Sequence, residues 1–195
     1  MKYGAVVIGC SMGGLKVLSQ IIKDLPHDFN LPLVILCHMD SDSPSLLPEI
    51  LARETTLPVH QCHWDMTLEA GHIYIAPPAY HMYVEPDYSF SFSQDPKVSF
   101  SRPSIDVLFE SMGDVFGPRL IAVLLTGANA DGALGLKHVR DLGGIAIIQD
   151  PEVAEVRTMP DAGLEIAGSD YVLEDDEIVE AIEMLAKKHI RVVEY

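Results

Sequence analysis

The run Leu120-Ile121-Ala122-Val123-Leu124-Leu125 carries no polar side chain. A strand with one face in water alternates apolar and polar residues. A strand that is apolar throughout must be covered on both faces, which places it centrally in a parallel sheet flanked by helices. Two further runs read the same way, Tyr3 to Ile8 (with Val6-Val7-Ile8) and Leu33-Val34-Ile35-Leu36-Cys37. Each of the three leads into a helical pattern. Leu15, Val17, Leu18, Ile21 and Ile22 predict a helix ending near Asp24, ahead of Pro26. Ser43-Pro44 predicts a second helix, with Ser43 as cap and Leu46, Leu47, Ile50 and Leu51 on its apolar side. The segment after Gly132 predicts a third, running through Val139.

The chain then continues with a strand at Gly144–Gln149, a short helix from Met159 to Ile166, a strand at Tyr171–Leu173 and a helix from Asp176 to Lys188 with an acidic start. This alternation predicts an α/β fold, a doubly wound and mostly parallel sheet with helices on both faces. The middle of the chain breaks the rhythm. Pro58–Gln61, His72–Ala76, His81–Glu85 and Tyr88–Ser93 read as short strands, the last two forming an antiparallel hairpin around Pro86-Asp87. Ser104 caps a helix carrying Val107, Leu108 and Met112. There is no repeat, low-complexity segment or linker, and 195 residues fit a single domain over 1–195.

Composition narrows the function. Hydrophobic residues make up 48% of the chain without a long charge-free run, and Met1-Lys2-Tyr3-Gly4 lacks the regions of a signal peptide. The expectation is a soluble cytoplasmic protein with no membrane insertion. Cys10, Cys37 and Cys62 are odd in number and lack metal spacing, so they read as reduced thiols. A formal net charge of −16 argues against nucleic acid as a partner.

In a doubly wound sheet, ligand sites lie beyond the carboxyl ends of the strands. Ser11 follows the first strand in Gly9-Cys10-Ser11-Met12-Gly13-Gly14, His38 follows the second, and Asp131 lies in the loop after Leu120–Leu125. A serine hydroxyl is a poor nucleophile until an imidazole takes its proton, and a carboxylate fixes the tautomer of that imidazole. The expected catalytic set is therefore Ser11, His38 and Asp131, with backbone N–H groups near Met12 and Gly13 receiving an oxyanion. The order Ser-His-Asp, with the serine after the first strand, separates this chain from the α/β-hydrolases, whose acid precedes the histidine.

Five blocks resemble the catalytic domain of the chemotaxis protein-glutamate methylesterases, the CheB family. They are Gly9 to Gly14, Cys37-His38-Met39, Gly71-His72-Ile73-Tyr74-Ile75-Ala76-Pro77, Arg102-Pro103-Ser104-Ile105-Asp106-Val107-Leu108-Phe109, and Leu125-Thr126-Gly127-Ala128-Asn129-Ala130-Asp131-Gly132. The matches keep the family's order from about residue 4 to about residue 175. The resemblance implies Ser11 as nucleophile, His38 as general base and acid, and Asp131 as the residue orienting His38. The implied reaction is hydrolysis of γ-glutamyl methyl esters on methyl-accepting chemotaxis receptors, with deamidation of receptor glutamines as a second activity. No cofactor or metal is implied.

The chain departs from the family pattern at three places. Met12 stands where the family has Thr, Gly127-Ala128-Asn129 where it has Gly-Met-Gly, and Ser101 where a His is common. These changes fall on the wall around the oxyanion and the ester methyl group, so Met12, Gly13 and Ala128 are the expected oxyanion and substrate contacts. Many relatives carry a receiver domain ahead of the catalytic strand. Here the strand begins within the first residues, and the expectation is a stand-alone form, with a piece trimmed from a longer protein as the other reading.

Other readings stay beside this one. The chain could be a non-catalytic module of the same fold, or an esterase for another acyl group. Ser11 and Asp131 could each merely cap a helix. His60, Cys62, His63 and Asp65 invite a metal reading, but alternation puts His63 on the face opposite His60 and Cys62. Cys10 and Cys37 read as core filler. Gly-x-x-x-Gly-Gly lacks dinucleotide spacing, and no acid ends the second strand. Arg102 and Arg157 are rare cations that either steer an acidic substrate or sit in structural ion pairs.

Overall fold

The computed structural model describes residues 2–38 and 46–188. Seven parallel strands form the main sheet. They are β1 (Ala5–Cys10), β2 (Leu33–Cys37), β3 (Val59–Gln61), β4 (Ile73–Ile75), β7 (Leu120–Leu124), β8 (Ile145–Gln149) and β9 (Tyr171–Leu173), in the order β3-β4-β2-β1-β7-β8-β9. β5 (His81–Val84) and β6 (Phe90–Ser93) pair antiparallel as a separate two-stranded sheet. The expected hairpin thus stands apart from the main sheet.

The side chains of each central strand divide between two cores. Val6, Ile8 and Cys10 face one side, with α1 (Gly14–Asp24) and α6 (Asp175–Lys187); Ala5 and Val7 face the other, with α3 (Ile105–Phe116) and α4 (Ala133–Asp141). β1 and β7 are buried at every residue, as a strand covered on both faces must be. α5 (Thr158–Ile166) closes the β7–β8 side. A short helix α2 (Leu47–Leu51) precedes β3, with Leu46 at its N-cap. The expected Ser43 cap and Pro44 lie outside the described residues.

This topology positions the site. β1 leads through α1 to β2 on one side, and β7 leads through α4 to β8 on the other. α1 and α4 belong to opposite cores, so β1 and β7 form a topological switch point, where a crevice opens at the carboxyl edge. Ser11 follows β1, and the 126–131 loop follows β7. Among the described residues, no helix is long and apolar enough to cross a membrane.

Candidate active site

Parallel pairing brings the first two residues of the expected set together. Cys10 and Cys37 are register partners on β1 and β2, and His38 N–H donates to the Cys10 carbonyl at 2.9 Å. Ser11 and His38 are therefore adjacent positions on adjacent strand ends. Ser11 is tied to β7 as well, its N–H donating to Thr126 O at 2.9 Å. Among the described residues its hydroxyl makes no hydrogen bond to His38; catalytic hydrogen bonds of this kind often tighten only when substrate binds.

His38 Nε2 and Asp131 Oδ2 are 2.9 Å apart, with the Asp131 side chain fully buried. Three more donors converge on the same carboxylate. Oδ1 accepts from Ser104 Oγ at 2.7 Å and from Asp106 N–H at 3.0 Å, and Oδ2 accepts from Ile105 N–H at 2.7 Å. Ser104 is the N-cap of α3, and Ile105 and Asp106 open that helix, so Asp131 sits at a helix N-terminus whose free N–H groups favour a negative charge. Burial pushes the carboxyl upward. The hydrogen bonds from His38, Asp106, Ser104 and Ile105 outweigh it and hold Asp131 below the usual carboxylate range. A carboxylate on Nε2 makes that nitrogen the donor, which leaves Nδ1 of His38 as the basic nitrogen.

The cap readings are corrected by this arrangement. α1 starts with Gly13 as its N-cap, not Ser11, and α4 starts with Gly132, not Asp131. Asp131 instead serves the N-terminus of α3, on a different segment of the chain.

Glycine is required at two positions. Gly13 has φ +81°, and a Cβ there would come within 3.0 Å of the Glu155 carboxylate. A Cβ on Gly127 would lie 2.6 Å from Met159 Cε and 2.9 Å from Ser11 Cβ, so Gly127 is packed directly against the serine. In the turn, Ser11 N–H and Gly14 N–H are bonded, to Thr126 O and Ser11 O. Among the described residues, the N–H groups of Met12, Gly13 and Ala128 have no backbone or side-chain acceptor. Met12 is exposed.

Several supporting residues escaped sequence reasoning. Asp106 lies beneath the site, its Oδ1 accepting from Gly132 N–H and Gly135 N–H at 2.8 Å each. Burial, with the Asp131 charge adding to it against these hydrogen bonds, raises Asp106 to about 6. Asn129 Oδ1 accepts from Asp131 N–H at 3.1 Å. Buried Gln149 accepts from Thr126 N–H at 2.7 Å and donates to Asp175 Oδ1 at 2.6 Å. Thr126 Oγ1 lies 3.0 Å from the Met12 carbonyl and 2.9 Å from Val156 N–H, linking the serine turn to the segment before α5. One signal was available in the sequence: Ser104 as a helix cap at the same sheet edge is a donor placed to meet a carboxylate.

The remaining singled-out residues fall elsewhere. His60 Nε2 meets His72 Nδ1 at 3.2 Å, and Cys62 is buried. Cys10 is buried and its thiol is pushed up by burial, while a hydrogen bond from that thiol lowers its partner Cys37. Arg157 is engaged by Asp161 at 2.8 Å and Glu152 at 3.1 Å, and Arg102 Nη1 donates to the carbonyls of Gln94 and Asp95.

A parallel α/β sheet with serine, histidine and a buried carboxylate gathered at its switch point has the build of an ester hydrolase outside the α/β-hydrolase order. Comparison with known proteins gives the family. Residues 6–182 match the family described as CheB methylesterase, and the chain belongs to that family. It is 43% identical over 180 residues to a putative protein-glutamate methylesterase/protein-glutamine glutaminase of Leptospira interrogans, covering 92% of this chain and 93% of that one. It is 38% identical to protein-glutamate methylesterase/protein-glutamine glutaminase 4 of Geobacter metallireducens, covering 93% of this chain and 53% of the relative, so it spans about half that relative's length. The fold superposes on the crystal structure of the Thermotoga maritima CheB methylesterase catalytic domain with a TM-score of 0.89 at 31% identity, covering 94% of this chain and all of that one.

Proposed function

We propose that the chain hydrolyses γ-glutamyl methyl esters on the helical signalling region of chemoreceptor-type proteins, with deamidation of glutamines at the same site. The reading rests on one observation above the others: the 2.9 Å contact between His38 and Asp131, whose carboxylate is held by three further donors beside the Ser11 turn. Family membership supplies the substrate class.

In this mechanism Ser11 Oγ attacks the ester carbonyl while His38 Nδ1 takes its proton. Asp131, kept ionised by its hydrogen bonds, stabilises the imidazolium through Nε2. The oxyanion forms against the N–H groups of Met12, Gly13 and Ala128, which need no reorganisation to receive it. His38 returns its proton to the departing methoxide, methanol leaves, and an acyl-Ser11 ester remains. Water, deprotonated by His38, attacks that ester; His38 returns the proton to the departing Ser11 Oγ, and the glutamyl carboxylic acid is released and ionises in solvent. A glutamine follows the same path with ammonia as the leaving group. Backbone donors serve the oxyanion whatever side chains stand at Met12 and Ala128.

A fluorophosphonate probe tests the nucleophile. We expect stoichiometric labelling that peptide mapping places on Ser11, slowed at least a hundredfold in His38→Ala. Labelling at another serine, or none in folded protein, would overturn the assignment.

A further inference from the structure

We infer that Phe100 is an apolar anchor for the protein segment that carries the scissile glutamyl group. The inference rests on the methylesterase reading above and names a specificity-determining residue for it.

Phe100 is 94% exposed, more than any other large apolar side chain among the described residues. It sits in a two-residue turn closed by Val98 N–H to Ser101 O at 3.1 Å and Ser101 N–H to Val98 O at 2.8 Å. Both central residues have positive φ, 49° at Ser99 and 62° at Phe100. That is the geometry of a type I′ turn, which Asn-Gly fills without strain. Here a bulky aromatic residue holds a left-handed conformation and points into water. Neither feature helps the folded chain. An outlier of this kind beside a reaction centre points to a role in binding.

The turn is bolted to the catalytic cluster on both flanks. Ser99 Oγ donates to Asp106 Oδ2 at 3.2 Å, and Asp106 N–H donates to Asp131. Asn129 Nδ2 donates to Ser101 Oγ at 3.3 Å, and Asn129 Oδ1 accepts from Asp131 N–H. Gly127, which touches Ser11, is two residues from Asn129, at most about 7 Å along the chain. Two other strongly exposed apolar side chains lie on the same machinery, Met12 beside the nucleophile at 59% and Leu134 in the first turn of α4 at 56%.

Charge explains why the grip is apolar. A glutamate-bearing segment is acidic, and the net charge of −16 offers it no general attraction. Arg157 is paired with Glu152 and Asp161, and Arg102 Nη1, beside the turn, donates to the carbonyls of Gln94 and Asp95. An exposed aromatic ring can hold an apolar side chain of such a segment, and Phe is among the residues enriched in protein interfaces.

The experiment compares methanol release from a methylated chemoreceptor signalling-region fragment with hydrolysis of p-nitrophenyl acetate. The variants are Phe100→Ala, Phe100→Tyr and Phe100→Gly, all of which keep Ser99 and its hydrogen bond to Asp106. For Phe100→Ala and Phe100→Gly we expect KM for the fragment to rise about tenfold with kcat changed less than twofold, so the ratio of the two kcat/KM values falls about tenfold. Phe100→Tyr should restore the ratio. Phe100→Gly should melt at or above the wild-type temperature, because glycine adopts the positive φ at this position without strain. An unchanged ratio in both, in a wild type that releases methanol, overturns the role of Phe100 alone. A wild type that cleaves p-nitrophenyl acetate but releases no methanol overturns the substrate reading and the anchor with it.

Discussion

Asp131 has no free lone-pair direction to spare. Oδ2 accepts from His38 and from Ile105 N–H, and Oδ1 accepts from Ser104 and from Asp106 N–H. In Asp131→Asn, either orientation of the amide sets its NH2 against a backbone donor. If the NH2 faces His38, the imidazole must also reverse its tautomer and carry its proton on Nδ1, where the serine needs a base. We expect kcat to fall by about 10³–10⁴ and stability by about 1–3 kcal/mol. An Asp131→Asn variant within tenfold of wild type, read as kcat at saturating ester, would contradict this role. Ser11, His38 and Asp131 were legible in the sequence because each follows a strand whose apolar pattern is unmistakable. Asn129 and Phe100 were not, because a turn residue declares its partner only when the loop from another strand is in place beside it.

The helix α3 does more than pack. Its first turn supplies three of the four donors to Asp131, and Asp106 in that turn accepts from Gly132 and Gly135 in turn. Burial raises Asp106 to about 6, against about 3.9 for an ordinary aspartate. Between about pH 4 and 6 the folded chain therefore holds a proton that the unfolded chain has lost. Stability is greatest below that window and falls as pH rises through it. Asp106→Asn keeps an acceptor for both glycine N–H groups and removes the buried charge. We expect the variant to be more stable than wild type at pH 7.5 by about 1–3 kcal/mol, seen as a higher melting temperature, and the gain to shrink towards pH 4.5. A gain that is equal at both pH values, or larger at the lower one, would contradict the buried-charge account. At this scale β2 and β9 fall where the apolar runs put them, and the Glu174–Glu177 pair caps α6 with Glu174 N–H on Glu177 Oε2 at 3.0 Å. The role of Asp106 was hidden, since a helix-start acid usually faces solvent and only the approach of α4 buries this one.

Across the whole molecule, residues 11, 38 and 131 share one sheet edge because β1 pairs with β2 on one side and β7 on the other, which sets three strand ends in a row. The alternation of strand and helix predicted the sheet and its helical layers. It did not predict the order β3-β4-β2-β1-β7-β8-β9 or the separation of the β5–β6 hairpin, because apolar periodicity states that a strand is buried and not which neighbour buries it. The family match over residues 6–182 and the likeness to the Thermotoga maritima domain agree with that architecture. The central claim is that this sheet edge runs ester hydrolysis through Ser11. The direct measurement is methanol released from a chemoreceptor fragment carrying radiolabelled glutamyl methyl esters, with wild type and Ser11→Ala at equal concentration and equal folded fraction. The account predicts steady release by wild type and release at the uncatalysed background by Ser11→Ala. Equal release by the two proteins would contradict it.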